Sequence, residues 1–356
     1  MNIEKIFHQF QHHSSFVTGE ELTSGHINDT YLIKTQQKPY YILQRINSSV
    51  FKDVYGLMNN KVLVTKHLRS KYNNTKEYQT ITFIPTLDQH YCYKDEKEGY
   101  WNLMTFIDDS KSFERVTNRN LAKEAGKLFG SFVNNTHDID VDQLVETIPN
   151  FHHMKFRFAE FDTALKNASE ERKLVSSDEI RRVNLLKEEM LTLDGLTETG
   201  QIPTRVTHND TKISNALFDK NDKAICAIDL DTVMPGIIHY DFGDAIRTIC
   251  TNADEDEKDL SKVTFNLEFY KAFTEGFLSS LTHITEIEAN YLAFSSKVMT
   301  FIMGLRMLTD FLNNDVYYKT KYDTHNLDRA RNQFKLIEEM NLHFNQMQMI
   351  VKEYLK

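Results

Sequence analysis

Hydrophobic periodicity splits this chain into two unequal parts, and that split limits its folds more than any other feature. Through residue 107 the apolar side chains come in short aromatic or β-branched runs. They lie at 15–18, 30–34, 40–46, 79–84 and 100–107, each bounded by Gly, Asn, Asp or Pro. Five strands are expected there. A short amphipathic helix is expected at 3–10. A longer one is expected at 54–71, where Leu57, Val64 and Leu68 recur at helical spacing. Together they predict a small antiparallel β-rich lobe over residues 1–107.

Beyond that point the period becomes helical, at 118–136, 151–166, 177–193, 265–281, 286–312 and 327–355. Ser177 before Asp178 and Glu179 reads as a helix start, with negative charge on the positive dipole end. Only 12 Gly and 5 Pro punctuate the 356 residues, so long helices are expected. One patch breaks the pattern: 205–208, 216–218 and 223–230 read as short strands between polar turns. The fold class expected is α+β, with residues 108–356 forming a large, mostly helical second lobe.

Charge and hydropathy exclude several functions. The chain has 42 Lys+Arg against 51 Asp+Glu, a net charge of −9. Non-specific nucleic-acid binding needs a basic face, so no nucleic-acid partner is expected. No stretch approaches the roughly 20 apolar residues of a membrane helix, and no secretory signal is visible at the start. Cys92, Cys226 and Cys250 are odd in number and widely spaced, fitting reduced thiols in a cytoplasm better than a disulfide frame or a zinc site.

The β patch holds most of the chemistry. It contains His208-Asn-Asp210-Thr-Lys-Ile-Ser-Asn215, and Asp229 follows Asn215 by fourteen residues at the end of an apolar run. This is a turn bearing a carboxylate, a second turn bearing an amide oxygen, and a strand ending in a carboxylate. Phosphoryl transfer from ATP uses those parts: one carboxylate takes the proton of the attacking hydroxyl, while an Asn oxygen and another carboxylate hold Mg²⁺. Read structurally instead, Asp210 and Asn215 are turn formers and Asp229 and Asp231 solubilise an edge strand.

These residues resemble the catalytic segment of the aminoglycoside phosphotransferase and choline kinase-like superfamily, whose members share the protein kinase architecture. Longer strings resemble the bacterial N-acetylhexosamine 1-kinases: 25–30, 41–47, 207–218, 228–232, 240–247 and 301–306 with 317–319. The resemblance implies a two-lobed protein kinase-like fold with ATP and Mg²⁺ in the cleft. It implies Asp210 as the base and Asn215 and Asp229 as metal ligands. Asp231 either helps or pairs with a neighbour.

The nucleotide end departs from the wider kinase pattern. Ser24 and Gly25 lie where kinases cover the phosphates, but only one glycine is present. Arg45 stands on the strand where kinases put a phosphate-gripping Lys, and no Glu lies between 54 and 71 to pair with it. Adenine is expected against the inter-lobe segment, bonding to backbone around Thr105 and Ile107. Asp241-Phe-Gly243 falls 26 residues after Asn215. It therefore reads as structural, with Asp241 or Asp244 capping a helix or bracing the catalytic turn. His208 reads as a packed, hydrogen-bonding histidine.

By resemblance the acceptor contacts are His26, Asp210, Thr232, Arg306 and Tyr317. Arg306 lies in an apolar helix, where a lone charge is costly, so a facing carboxylate such as Asp210, Asp229 or Asp231 is expected. The activity expected is transfer of the ATP γ-phosphate to the anomeric hydroxyl of an N-acetylhexosamine. The alternatives are another hydroxyl acceptor (choline, aminoglycoside or homoserine) and a nucleotide-binding protein without catalysis. The expected partners are a sugar and a nucleotide; oligomeric state is open.

Overall fold

The short N-terminal runs pair into a six-stranded antiparallel sheet in the computed structural model, which describes residues 2–22, 27–72, 77–97 and 99–355. Its strands are β1 (Phe16–Leu22), β2 (Asp29–Thr35), β3 (Tyr41–Ile46), β4 (Phe83–Ile84), β5 (Tyr93–Asp95) and β6 (Gly99–Thr105). Their order is β1-β2-β3-β6-β4, and β5 also pairs with β6. The expected strand at 79–84 shrinks to two residues. Upstream of it, Gln79 N–H donates to the Ile225 carbonyl at 2.7 Å, outside the sheet. β5 was not expected, because three residues are too few for a period of two to show.

Alternation along β3 gives the sheet two dissimilar faces. Tyr41 and Leu43 face one way and join Ile33, Trp101 and Leu103 under helix α1 (Ile3–Phe7), whose Ile6 and Phe7 close that core. Ile46 faces the other way, with Met104, against helix α2 (Val54–Tyr72) and its Leu57, Met58, Val64 and Leu68. Gln44 shares the α2 side, so Arg45 points to the opposite one.

The rest is helical, as expected: α3 (Arg119–Asn135), α4 (Met154–Asn167), α5 (Glu170–Val175), α6 (Ser177–Met190), α7 (Thr192–Glu198), α8 (Ile238–Ile249), α9 (Leu267–Ser279), α10 (Glu286–Leu312) and α11 (His325–Tyr354). Asn118 caps α3 by accepting Leu121 N–H at 3.0 Å. Thr285 and Glu288 form a reciprocal capping box on α10. Helix α6 starts at Ser177, as its sequence suggests, with Asp178 and Glu179 in its first turn and no side-chain cap. Ser176 precedes it, and its hydroxyl donates back to the Arg172 carbonyl at 2.7 Å, because α5 runs almost directly into α6.

Helices α3 and α9 cross at contact distance. A Cβ on Gly126 would meet the Phe273 carbonyl, and one on Gly276 the Lys123 carbonyl. One apolar cluster runs from Leu57 and Val64 of α2 through Phe129 of α3 to Phe242 and Phe273. It joins the sheet lobe to the helical lobe. A second cluster, including Phe161, Val298 and Phe334, fills the space between α4, α10 and α11. No helix among the described residues is long and apolar enough to cross a membrane.

The β patch forms as two ribbons: β8 (Ala216–Phe218) pairs with β9 (Ala224–Ala227), and β7 (Arg205–Thr207) pairs with β10 (Met234–Gly236). β10 reads Met-Pro-Gly, a turn-like composition whose pairing is set by β7 rather than by local preference.

Candidate active site

Strand β7 ends at Thr207, and the chain turns sharply through Asn209, whose φ is +63°. A non-glycine residue there carries strain that the surroundings must overcome. They do so through helix α8. Asp241 accepts His208 N–H at 2.9 Å and Asn209 N–H at 2.7 Å. Asp244 accepts Thr211 N–H at 3.0 Å. Thr232 Oγ1 donates to the His208 carbonyl at 2.7 Å, and Asn209 Nδ2 donates to the Thr232 carbonyl at 2.9 Å. The sequence reading of Asp241 and Asp244 as braces of this turn agrees with the geometry. His208 is buried against the rings of Phe129 and Phe132, with Nε2 2.9 Å from the Ile228 carbonyl. Burial pushes its pKa down, so it is a packed neutral histidine.

Asp210 projects from the tip of the turn. Its Oδ2 accepts Asn215 Nδ2 at 2.8 Å and Lys212 Nζ at 2.9 Å. Burial works to raise its pKa, but Lys212, His208 and the Asn215 hydrogen bond outweigh it and hold the carboxyl below its usual value. Asn215 also donates Nδ2 to the Asp210 carbonyl at 2.8 Å, so its amide nitrogen is spent and its amide oxygen is turned away. Ile228 N–H donates to the Asn215 carbonyl at 2.9 Å, which sets Asp229 beside Asn215.

Asp229 also has a left-handed backbone, with φ +59°. Its carboxylate makes no hydrogen bond or ion pair among the described residues and is exposed. The surrounding protein mass, then the charges of Asp231 and Asp210, push its pKa up to about 7, against Lys212 and Lys61. Because the side chain opens on solvent, the like charges weigh more here than desolvation. No trio of His, Cys, Asp or Glu among the described residues could hold a metal ion alone. An amide oxygen and a carboxylate with no partner among the described residues, side by side, instead fit a hard divalent ion that takes its other oxygens from a ligand.

Thr105 N–H donates to the Thr82 carbonyl at 2.9 Å and its hydroxyl accepts Thr82 N–H at 3.1 Å. Ile107 is buried and its carbonyl accepts the Ser110 hydroxyl at 2.6 Å. Arg45 pairs with Asp29 at 3.2 Å on the sheet face opposite Gln44. Ser24, Gly25 and His26 lie outside the described residues.

Arg306 departs from expectation. Among the described residues it pairs with no carboxylate. Its guanidinium stands 5.2 Å from the Phe151 ring, 5.9 Å from Tyr317 and 5.8 Å from Tyr318, and its one hydrogen bond goes to Met303 Sδ at 3.6 Å. Aromatic faces, rather than a counter-ion, support the charge. Tyr317 is 61% exposed, with its N–H tied to Asp310 at 2.8 Å. His152 lies within the fields of Arg306 and Asp210. Burial, then Arg306, push its pKa down to about 3, while Asp210 pulls the other way.

Three residues of this region escaped the sequence reading. Lys212 was signalled by its place two residues after Asp210. Lys61, whose ammonium meets Asp231, and His152 gave no local signal.

The profile of the phosphotransferase enzyme family matches residues 18–272. Solved structures of the same fold include an aminoglycoside phosphotransferase from Alicyclobacillus acidocaldarius, 11% identical with a TM-score of 0.64, covering 99% of this chain and 97% of that one. The microcompartment-associated aminopropanol kinase is 13% identical at TM-score 0.59, covering 97% of both chains. Amicoumacin kinase, solved with AMP-PNP and Ca²⁺, is 12% identical at TM-score 0.59, covering 94% of this chain and 92% of that one. At these identities the likeness is one of fold, and it agrees with the two-lobed, kinase-like architecture.

Proposed function

We propose that this chain, which belongs to the phosphotransferase enzyme family, transfers the γ-phosphoryl group of ATP to the anomeric hydroxyl of an N-acetylhexosamine. The observation that carries the reading is the meeting of Asp210, Asn215 and Asp229 at one braced turn, with Asp229 left without a partner among the described residues. We place the lobe division at 107/108, with nucleotide contacts from Thr105 and Ile107 and from Ser24 and Gly25.

Asn215 and Asp229 would hold a divalent ion, Mg²⁺ in the simplest case; bound there, the ion neutralises charge on the transferring group. Amicoumacin kinase, with AMP-PNP and Ca²⁺, supports a nucleotide and a divalent ion in this fold. Asp210 accepts the proton of the acceptor hydroxyl on Oδ as the oxygen–phosphorus bond forms and the bond to the departing diphosphate breaks. Its lowered pKa keeps it ionised at neutral pH, so its contribution is position more than basicity.

The acceptor side favours a neutral, hydroxyl-rich molecule. Arg306 holds a positive charge that no carboxylate among the described residues compensates, which disfavours a cationic acceptor such as choline or an aminoglycoside. Thr232, Tyr317 and His26 complete the acceptor contacts we assign. The test is incubation with Mg-ATP and a panel of sugars and amino alcohols, locating phosphate by NMR. Phosphate at the anomeric carbon of N-acetylglucosamine or N-acetylgalactosamine is the expected result. Phosphate only on an amino alcohol or aminoglycoside would overturn the sugar assignment.

A further inference from the structure

Asp229 and Asp231 stand two residues apart, yet the fold treats them oppositely. Asp229 spends neither oxygen on any described residue. Asp231 spends both: Oδ1 meets the Lys61 ammonium and Oδ2 meets Asn28 Nδ2. Lys61 is 1% exposed and Asp231 4%. The ammonium also reaches Gln44 Oε1 at 3.2 Å, and Gln44 is itself held by Asn102 Nδ2 at 3.1 Å. Asn28 accepts Asn47 N–H at 2.8 Å through its other side-chain atom. The entry to β2 and helix α2 therefore meet directly on the carboxylate of the turn after β9, and strand β3 joins them through Lys61.

In kinases that pair a strand lysine with a helix glutamate, the helix supplies the negative charge. Here the helix supplies the positive charge, the strand an amide, and the turn beside the metal position the carboxylate. A buried lysine is tolerated only when paired, and the partner here is the carboxylate two residues from Asp229.

We propose that Lys61 is a positioning residue that withholds Asp231 from the divalent ion, leaving Asn215 and Asp229 as the protein's donors. The ion then needs the nucleotide's phosphate oxygens to be held tightly, so it enters with the nucleotide and leaves with it. This rests on the nucleotide-dependent phosphotransferase reading above.

The test measures Mn²⁺ binding by electron paramagnetic resonance, with and without AMP-PNP. The wild-type protein should bind Mn²⁺ weakly alone and tightly with AMP-PNP. Lys61→Met should bind Mn²⁺ alone about tenfold more tightly, since it frees Asp231 Oδ1 and leaves an uncompensated negative charge two residues from Asp229. Lys61→Gln removes the charge but keeps a neutral donor beside Asp231, so it should gain in the same direction by less. Lys61→Arg keeps the charge and should show no gain. In the Lys61→Met, Asp231→Asn double variant the gain should vanish. A folded Lys61→Met or Lys61→Gln with wild-type Mn²⁺ affinity overturns the inference, as does a gain that survives in the double variant. Absence of Mn²⁺ binding by the wild-type protein even with AMP-PNP would overturn the phosphotransferase reading and this inference together.

Discussion

Asp241 accepts the Asn209 N–H at 2.7 Å across 32 positions of sequence, and with its other oxygen the His208 N–H at 2.9 Å. One side chain on the first turn of α8 thus holds the strained backbone that aims Asp210. Asp241→Ala should leave two buried N–H groups unpaired and cost about 2–4 kcal/mol of stability. It should also lower turnover more than it changes nucleotide affinity. Urea unfolding and steady-state kinetics on the same preparation check both.

Asp210→Asn should abolish proton acceptance while keeping the Asn215 contact. Turnover should fall about 10²–10⁴-fold, with the Mg-ATP thermal shift retained. Unchanged turnover would exclude Asp210 as the base.

Chelation should arrest phosphoryl transfer, and Mg²⁺ should restore it. Asn215→Ala should raise the Mg²⁺ concentration needed for half-maximal rate, because it removes one of two protein donors. Activity that persists in excess chelator would remove the metal role assigned to Asn215 and Asp229.

His239 is fully buried, with Nε2 2.9 Å from the Glu288 carbonyl, and burial pushes its pKa down to about 4. The unfolded chain takes up a proton near pH 6.5, whereas the folded chain refuses it until about pH 4. The stability from His239 is therefore present above pH 6.5 and lost as pH falls toward 4. Between pH 7 and 5 this single group should cost about 2 kcal/mol. His239→Gln should flatten the fall in urea midpoint over that range; an identical slope in the variant would show that other groups govern acid stability.

The α3–α9 crossing gives a purely structural prediction. Gly276→Ala places a methyl group against the Lys123 carbonyl and should destabilise by about 1–3 kcal/mol, read as a lowered melting temperature. Gly195→Ala, which meets nothing within 4 Å, is the control.

Much of this was legible in the residues. Helix α10 falls at 286–312 as its period requires, because that signal is local. The Asp210, Asn215 and Asp229 spacing could be read for the same reason. Where the reading failed, a distant partner intervened. Residues 79–81 left the sheet, with Gln79 bonded to Ile225. Arg306 stands among aromatic rings instead of facing a carboxylate.

The order of residues by itself determined the two-part architecture and the turn that carries Asp210 and Asn215, since each depends on neighbours within a few positions. Only the tertiary structure decided how the charges are shared. That Asp231 is spent on Lys61, 170 residues away, while Asp229 finds no partner among the described residues follows from which side chains burial brings together. Burial desolvates those groups and compels them to pair, and no local period records the partner each one finds.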